Sequence, residues 1–261
     1  MKNNFISILI TNYNKQKFLK KCLDSVCNQS FNNYEIILFD DCSIDNSLNI
    51  IKKYKRVKLI KNKKRSNKSA PLNQINGILR AFKKSKGNII CLMDADDYFV
   101  ENKLKIIDKK FKTKDIDCIY NFPRTSKKQF IYRTKKNTND VWPIIFPTSC
   151  ITTTRGSFKV FTKYLQKNKY LNLEIDARLV IFFRFFLKEY NVIKNKLTIY
   201  NYDNNSITSK VKKYSINWWL RRFEAFKYLK YILSKKNIKF KVSIDYFVTI
   251  FFITIIKTFK L

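Results

Sequence analysis

Short apolar runs and helix-spaced apolar positions alternate along the first part of the chain. FISILIT (5–11), YEIILFD (34–40), VKLIK (57–61) and NIICLMD (88–94) are compact β-branched or apolar runs bounded by polar residues. Runs of this length predict buried strands. Between them, Phe18, Leu19, Cys22, Leu23 and Val26 recur at helical spacing and predict a helix over 15–29. Further helices are predicted over 46–54, with Ser43 or Asp45 as its cap, over 72–85 ending before Gly87, and over 101–112. Strand and helix in strict alternation predict an α/β fold with a mostly parallel central sheet, covered by helices on both faces.

After residue 115 the pattern loosens. A strand is predicted at 116–122, a loop plus strand at 141–154, and a buried helix with an acidic start at 172–190. A strand and polar loop follow at 196–208, then an amphipathic helix at 214–234. The most apolar stretch, VSIDYFVTIFFITII (242–256), is too short for a confident membrane span and carries Asp245. Lysines flank it, so two readings stand: packing on the domain or a second subunit, or lying on an anionic membrane surface.

The strand ends hold the polar signal. TNYN closes the first strand, DDCSID the second and DADD the fourth. Ligands of parallel α/β sheets bind at the carboxyl ends of strands, so these three clusters should share one edge. Asp94, Asp96 and Asp97 repel one another unless a cation lies between them, which points to a divalent metal. A solvated turn is the plain alternative for a single such cluster.

Composition narrows the chemistry. The 261 residues contain no histidine, which excludes Ser-His-Asp and Cys-His catalysis and every His-ligated zinc site. Three glycines, Gly77, Gly87 and Gly156, cannot write a glycine-rich phosphate loop. Six cysteines without a CxxC pair read as small buried hydrophobes, and no secretory leader is legible, so a reducing cytoplasm is expected. The net charge of +35 invites a nucleic-acid-binding reading, but abundant Lys, Asn, Ile, Phe and Tyr also fit A+T-rich coding. A nucleic-acid binder has no use for acids at strand ends, and no specific nucleic acid is expected.

SILITNYNKQKFLKKCLDSVCNQSFNNYEIILFDDCSIDNS (7–47) and GNIICLMDADDYFVENKL (87–104) together resemble a family 2 glycosyltransferase of the GT-A, Rossmann-like fold. The resemblance is close over 5–120, loose over 140–210 and absent from the last fifty residues. It implies a glycosyltransferase domain over 1–212, with a nucleotide-sugar half (1–120) and an acceptor half (121–212). A basic helical tail (213–261) follows, placed at the inner face of a cytoplasmic membrane if it binds lipid.

By resemblance, Thr11 and Tyr13 line the nucleotide base, and Asp41, with Asp40 beside it, accepts the uracil imide N–H of a UDP-sugar. Asp96 and Asp97, with Asp94, match the site for Mn²⁺ or Mg²⁺, whose hard oxygen ligands suit a diphosphate-bound metal. Asp176 in EIDARLVIFF (174–183) matches the catalytic base, with Glu174 as runner-up. The expected reaction is inverting transfer to a glycan or lipid-linked sugar. The family's diphosphate-closing loop often carries His or Arg, which YNYDNNSITS (200–209) lacks; Lys210 or Lys212 are its stand-ins, and Arg65 and Lys68 are candidate phosphate contacts. A glycosyltransferase-like partner protein without catalysis is the remaining alternative.

Overall fold

The computed structural model describes residues 3–113, 115–125, 141, 146–187, 190–201 and 211–259. The first half alternates as expected: β1 (Ile6–Asn12), α1 (Gln16–Cys27), β2 (Tyr34–Asp40), α2 (Ser47–Lys52), β3 (Val57–Lys61), α3 (Ala70–Lys84) and β4 (Ile89–Asp94). A two-residue β5 (Tyr98–Phe99), α4 (Lys103–Thr113) and β6 (Cys118–Arg124) follow. A single 3₁₀ turn at Thr148–Cys150 then leads into β7 (Ile151–Thr154), α5 (Arg155–Tyr164), α6 (Ile175–Phe186) and β8 (Tyr190–Ile199). Two long helices, α7 (Ile216–Ser234) and α8 (Ile244–Thr258), complete the described chain.

Among the described residues, eight strands form one mixed sheet in the order β3-β2-β1-β4-β7-β6-β8-β5. The first four run parallel, β7 is antiparallel to both neighbours, β6 and β8 are parallel, and β5 closes the edge antiparallel to β8.

Alternation along the central strands feeds two cores, because successive side chains point to opposite faces. Ile6, Ile8, Ile10, Ile36, Leu38, Cys91 and Met93 pack with Leu19, Cys22, Leu23 and Val26 of α1 and with Leu104 and Ile107 of α4. Leu9, Ile37, Ile90 and Leu92 face the other way, onto Ile75, Ile78 and Ala81 of α3 and the aromatic body of α5, α6 and α7. The continuous apolar runs are therefore the mark of strands covered on both sides.

Gly87 sits where the turn into β4 crosses the start of β1. A Cβ there would stand 2.6 Å from Phe5 O, Ser7 N and Ser7 Oγ. Two of these are backbone atoms and cannot swing aside. Gly87→Ala is expected to lower stability by about 1–3 kcal/mol, read as a lower denaturant midpoint with an unchanged slope.

The later elements depart from expectation. Residues 155–164, to which no element is assigned above, form α5, capped by Thr154 Oγ1 accepting from Ser157 N at 3.2 Å. The helix expected over 172–190 covers only Ile175–Phe186, and β8 starts at Tyr190 rather than at 196. β8 begins early because β6 is available as a parallel partner from Cys118 onward. The apolar stretch is helical from Ile244 onward and packs on α7 through Thr249, Ile253 and Ile256, with Phe252 stacked on Trp219 at 4.2 Å. Among the described residues, no helix is long and apolar enough to cross a membrane.

Candidate active site

Parallel register brings the strand ends together. Asn12 pairs with Asp40, and Thr11 with Asp94, so the polar ends of β1, β2 and β4 lie side by side. The two acids after β2 divide their work. Asp40 is buried and fastens the loop: its Oδ1 accepts from Asn12 Nδ2 (2.7 Å) and Ser43 Oγ (2.6 Å), and its Oδ2 from Ser43 N (3.0 Å). The turn passes through Cys42 at φ 60°, a left-handed conformation that these hydrogen bonds help to hold.

Asp41 sits in a different set of contacts. Its carboxylate accepts from Asn62 Nδ2 (2.7 Å) and Arg65 Nε (2.9 Å). The Arg65 guanidinium lies 3.6 Å above the centre of the Tyr13 ring. Tyr13, Arg65 and Asp41 thus form a flat, partly exposed surface ending in a carboxylate, suited to a planar base that offers an N–H. Lys68 is exposed on the loop before α3 and stands outside this cluster's hydrogen bonds.

The three aspartates after β4 are held individually. Asp94 Oδ1 accepts from Gln74 Nε2 (2.7 Å) and Thr11 Oγ1 (3.2 Å), while its backbone N–H donates to Ser149 Oγ (3.0 Å). Thr11 therefore orients Asp94. Burial, and then the charge of Asp96, pushes the Asp94 carboxyl up to about 7. Asp96 is ion-paired to Lys15 Nζ at 2.7 Å. Asp97 is 1% exposed. Its Oδ1 accepts from Asn201 N (3.0 Å), but its buried Oδ2 has no hydrogen-bond partner. Burial and the neighbouring acids push Asp97 well above the usual carboxylate range. Behind the group, the fully buried Lys103 donates to Ser149 O (2.7 Å) and Thr198 Oγ1 (2.9 Å), fixing the 3₁₀ turn that carries Ser149.

These residues fit a hard divalent cation. The donors are all oxygens, one buried carboxylate oxygen lacks a hydrogen bond, and the mutual repulsion is of the kind a cation relieves. Among the described residues, no group of three or more His, Cys, Asp or Glu side chains is arranged to hold a metal ion by itself. A cation here would draw further ligands from the phosphates it accompanies.

The start of α6 supplies the remaining acids. Glu174 is buried, and its Oε2 accepts from Arg221 Nε of α7 at 2.6 Å. Asp176 is partly buried, with Oδ1 accepting from Ala177 N at 2.7 Å. Burial first, then the charge of Glu174, raises the Asp176 carboxyl to about 6, against the opposing pull of Arg221. Asp176 also acts on the site: its charge is among those raising Asp94, and the phenol of Tyr200 is raised by burial first and then by Asp97, Asp94, Asp96 and Asp176. The approach to α6 is pinned by the fully buried Arg178, which donates to the carbonyls of Leu165 (2.7 Å), Leu173 (3.0 Å) and Tyr170.

Lys15, Gln74, Ser149, Asn201, Lys103 and Arg221 are the contributors that motif reading passes over. Lys15 and Lys103 lie inside the segments that carry the resemblance, and Asn201 in the expected closing loop, yet motif reading gives none of them a role. Residues 202–210, including the rest of that segment and Lys210, lie outside the described residues; Lys212 is exposed ahead of α7.

Comparison with known proteins gives one consistent answer. The family model described as "Glycosyl transferase family 2" matches residues 7–190. Glycosyltransferase GlyG of Streptococcus pneumoniae is 29% identical over 140 residues, 51% of this chain and 44% of its own length. TarS of Staphylococcus aureus, a poly(ribitol-phosphate) β-N-acetylglucosaminyltransferase, is 30% identical over 102 residues, 38% of this chain and 17% of its own. The chain thus spans less than half the length of these curated relatives.

In three dimensions, TarS 1–349 in complex with UDP-GlcNAc superimposes with a TM-score of 0.68 at 15% identity, over 91% of this chain and 68% of that one. The mannosyltransferase PcManGT of Pyrobaculum calidifontis, in complex with GDP-Man and Mn²⁺, gives 0.58 at 14% identity, over 94% and 67%. The sheet of eight strands with its helical layers is the GT-A fold of these structures. With its strand-end acids and a family match over most of its length, the chain belongs to glycosyl transferase family 2.

Proposed function

We propose that the chain moves a sugar from a nucleoside-diphosphate donor, UDP-linked, to a hydroxyl of a surface glycan or lipid-linked acceptor, with inversion at the anomeric carbon. The observation that carries this reading is electrostatic and geometric together. Parallel register sets the polar ends of β1, β2 and β4 side by side, and Asp176, from α6, is near enough for its charge to act on Asp94. Structural neighbours that bind UDP-GlcNAc, and GDP-Man with Mn²⁺, support the donor class.

In this reading Tyr13 and Arg65 receive the base, and Asp41 accepts its imide N–H. Asp94, Asp96 and Asp97 would hold Mg²⁺ or Mn²⁺, which when bound supplies Lewis-acid stabilisation of charge on the departing diphosphate. Asp176 takes the proton of the acceptor hydroxyl as that oxygen forms its bond to the anomeric carbon. The bond from that carbon to the diphosphate oxygen breaks, and its electron pair leaves with the nucleotide. One displacement needs one base, so a second catalytic carboxylate is not required. Glu174, bonded to Arg221, acts on Asp176 through its charge and anchors α6 to α7.

Asp41→Asn leaves one acceptor oxygen where Asn62, Arg65 and the N–H of the base all need to donate. It is expected to weaken UDP binding about tenfold, measured by calorimetry, with the metal requirement unchanged. The reading as a whole is tested by nucleotide release from UDP-glucose, UDP-GlcNAc and GDP-mannose, with Mn²⁺ and with a chelator. Faster release of UDP than GDP, stopped by the chelator, is the expected result. No release from any donor, or release indifferent to the chelator, would overturn it.

A further inference from the structure

Helix α8 has two faces of similar polarity and different fates. Thr249, Ile253 and Ile256 are buried against α7. The opposite side is also apolar but faces outward: Ile244, Phe247, Val248 and Phe251 recur at helical spacing, and Phe247 and Phe251 are 64% and 62% exposed. Phe259, just past the helix, is exposed as well. A contiguous exposed face of this kind marks a surface that something covers.

The charge around it identifies the occupant. Lys235, Lys236, Lys239 and Lys241 precede the helix and Lys257 ends it, all exposed. The one acid within this stretch, Asp245, is ion-paired to Arg222 of α7. Among the described residues from Lys235 to Phe259, no other acid offsets the lysines. Two copies meeting face to face would bring these lysine groups, each on a chain of net charge +35, toward one another. An anionic lipid surface turns the same charge into attraction while the phenylalanines enter the headgroup boundary. We infer that the outward face of α8 docks flat on an anionic membrane surface, with Phe247 and Phe251 as its apolar contacts and the bracketing lysines reaching lipid headgroups. The Arg222–Asp245 and Trp219–Phe252 contacts tie α8 to α7, so the lipid would hold the whole domain. This inference is independent of the donor chemistry proposed above.

The test is flotation of the full chain with phosphatidylcholine vesicles, and with vesicles also containing phosphatidylglycerol, at physiological salt. Wild type, Phe247→Ser/Phe251→Ser and Lys239→Gln/Lys241→Gln are compared, with light scattering and Mn²⁺-dependent UDP binding measured alongside. Wild type should float only with anionic vesicles, and each double variant should bind them about tenfold or more weakly, with melting temperature and UDP binding unchanged. Undiminished flotation of the phenylalanine variant would overturn the inference, because bulk charge alone would then suffice. Failure of wild type to float would also overturn it, as would a wild-type dimer that this variant converts to monomer. Loss of UDP binding in every protein would strike the donor reading and leave this one standing.

Discussion

Asp176→Asn is expected to lower kcat by about 10²–10⁴-fold while UDP binding persists and the folded state becomes more stable. The catalytic loss follows from the role: an amide cannot take the acceptor's proton. The local structure should survive, because Asn can still accept from Ala177 N through its Oδ1. The gain in stability follows from linkage. Burial and Glu174 raise the Asp176 carboxyl from its ordinary 3.8 to about 6. A carboxyl raised in the folded state destabilises that state above the folded value and has no effect below the unfolded one. At neutral pH, removing the charge should therefore stabilise by roughly 1–2 kcal/mol, allowing for partial exposure, and at pH below 3.8 it should not. Wild-type activity should fall as pH drops through about 6, where the base gains its proton. Stopped assays of transfer, with thermal melts at both pH values, check all three outcomes.

Asp97→Asn should cost about 10³-fold or more in metal-supported activity and remove the dependence of donor binding on Mn²⁺. Asp97 combines full burial with an Oδ2 that has no hydrogen bond. Its Oδ1 is bonded to Asn201 N, and the Lys103 amine holds the neighbouring Ser149 turn, so the carboxylate is preset in direction. Asp96 is held differently, in an ion pair with Lys15. Activity across a Mn²⁺ titration, with a melt to show the variant folded, separates loss of the metal site from loss of the fold.

Much of this site was legible before any coordinates. Continuous apolar runs at β1, β2 and β4 imply a sheet covered on both faces, and parallel register then puts Asn12 beside Asp40 and Thr11 beside Asp94. Local pattern stops where contacts become distant. Asp40 and Asp41 are adjacent and look equivalent, yet Asp40 closes its own loop while Asp41 meets Arg65. The Arg221–Glu174 bond spans 47 residues and Asp94–Ser149 spans 55, and neither leaves a periodic trace. α5 was legible but not assigned: Phe158, Phe161, Tyr164 and Leu165 recur at helical spacing behind the Thr154 cap. The face of α8 could be seen as apolar, but which half of it α7 covers depends on tertiary packing.

The central claim is that the strand-end acids bind a metal together with its nucleotide. Calorimetric titration of UDP into the full chain, with and without Mn²⁺, tests it most directly. Binding is expected to be at least about tenfold tighter with Mn²⁺, and selective for UDP over GDP and CMP. Equal, salt-sensitive binding of all three nucleotides regardless of metal would contradict it, and would assign the attraction to the +35 surface instead of to Asp94, Asp96 and Asp97.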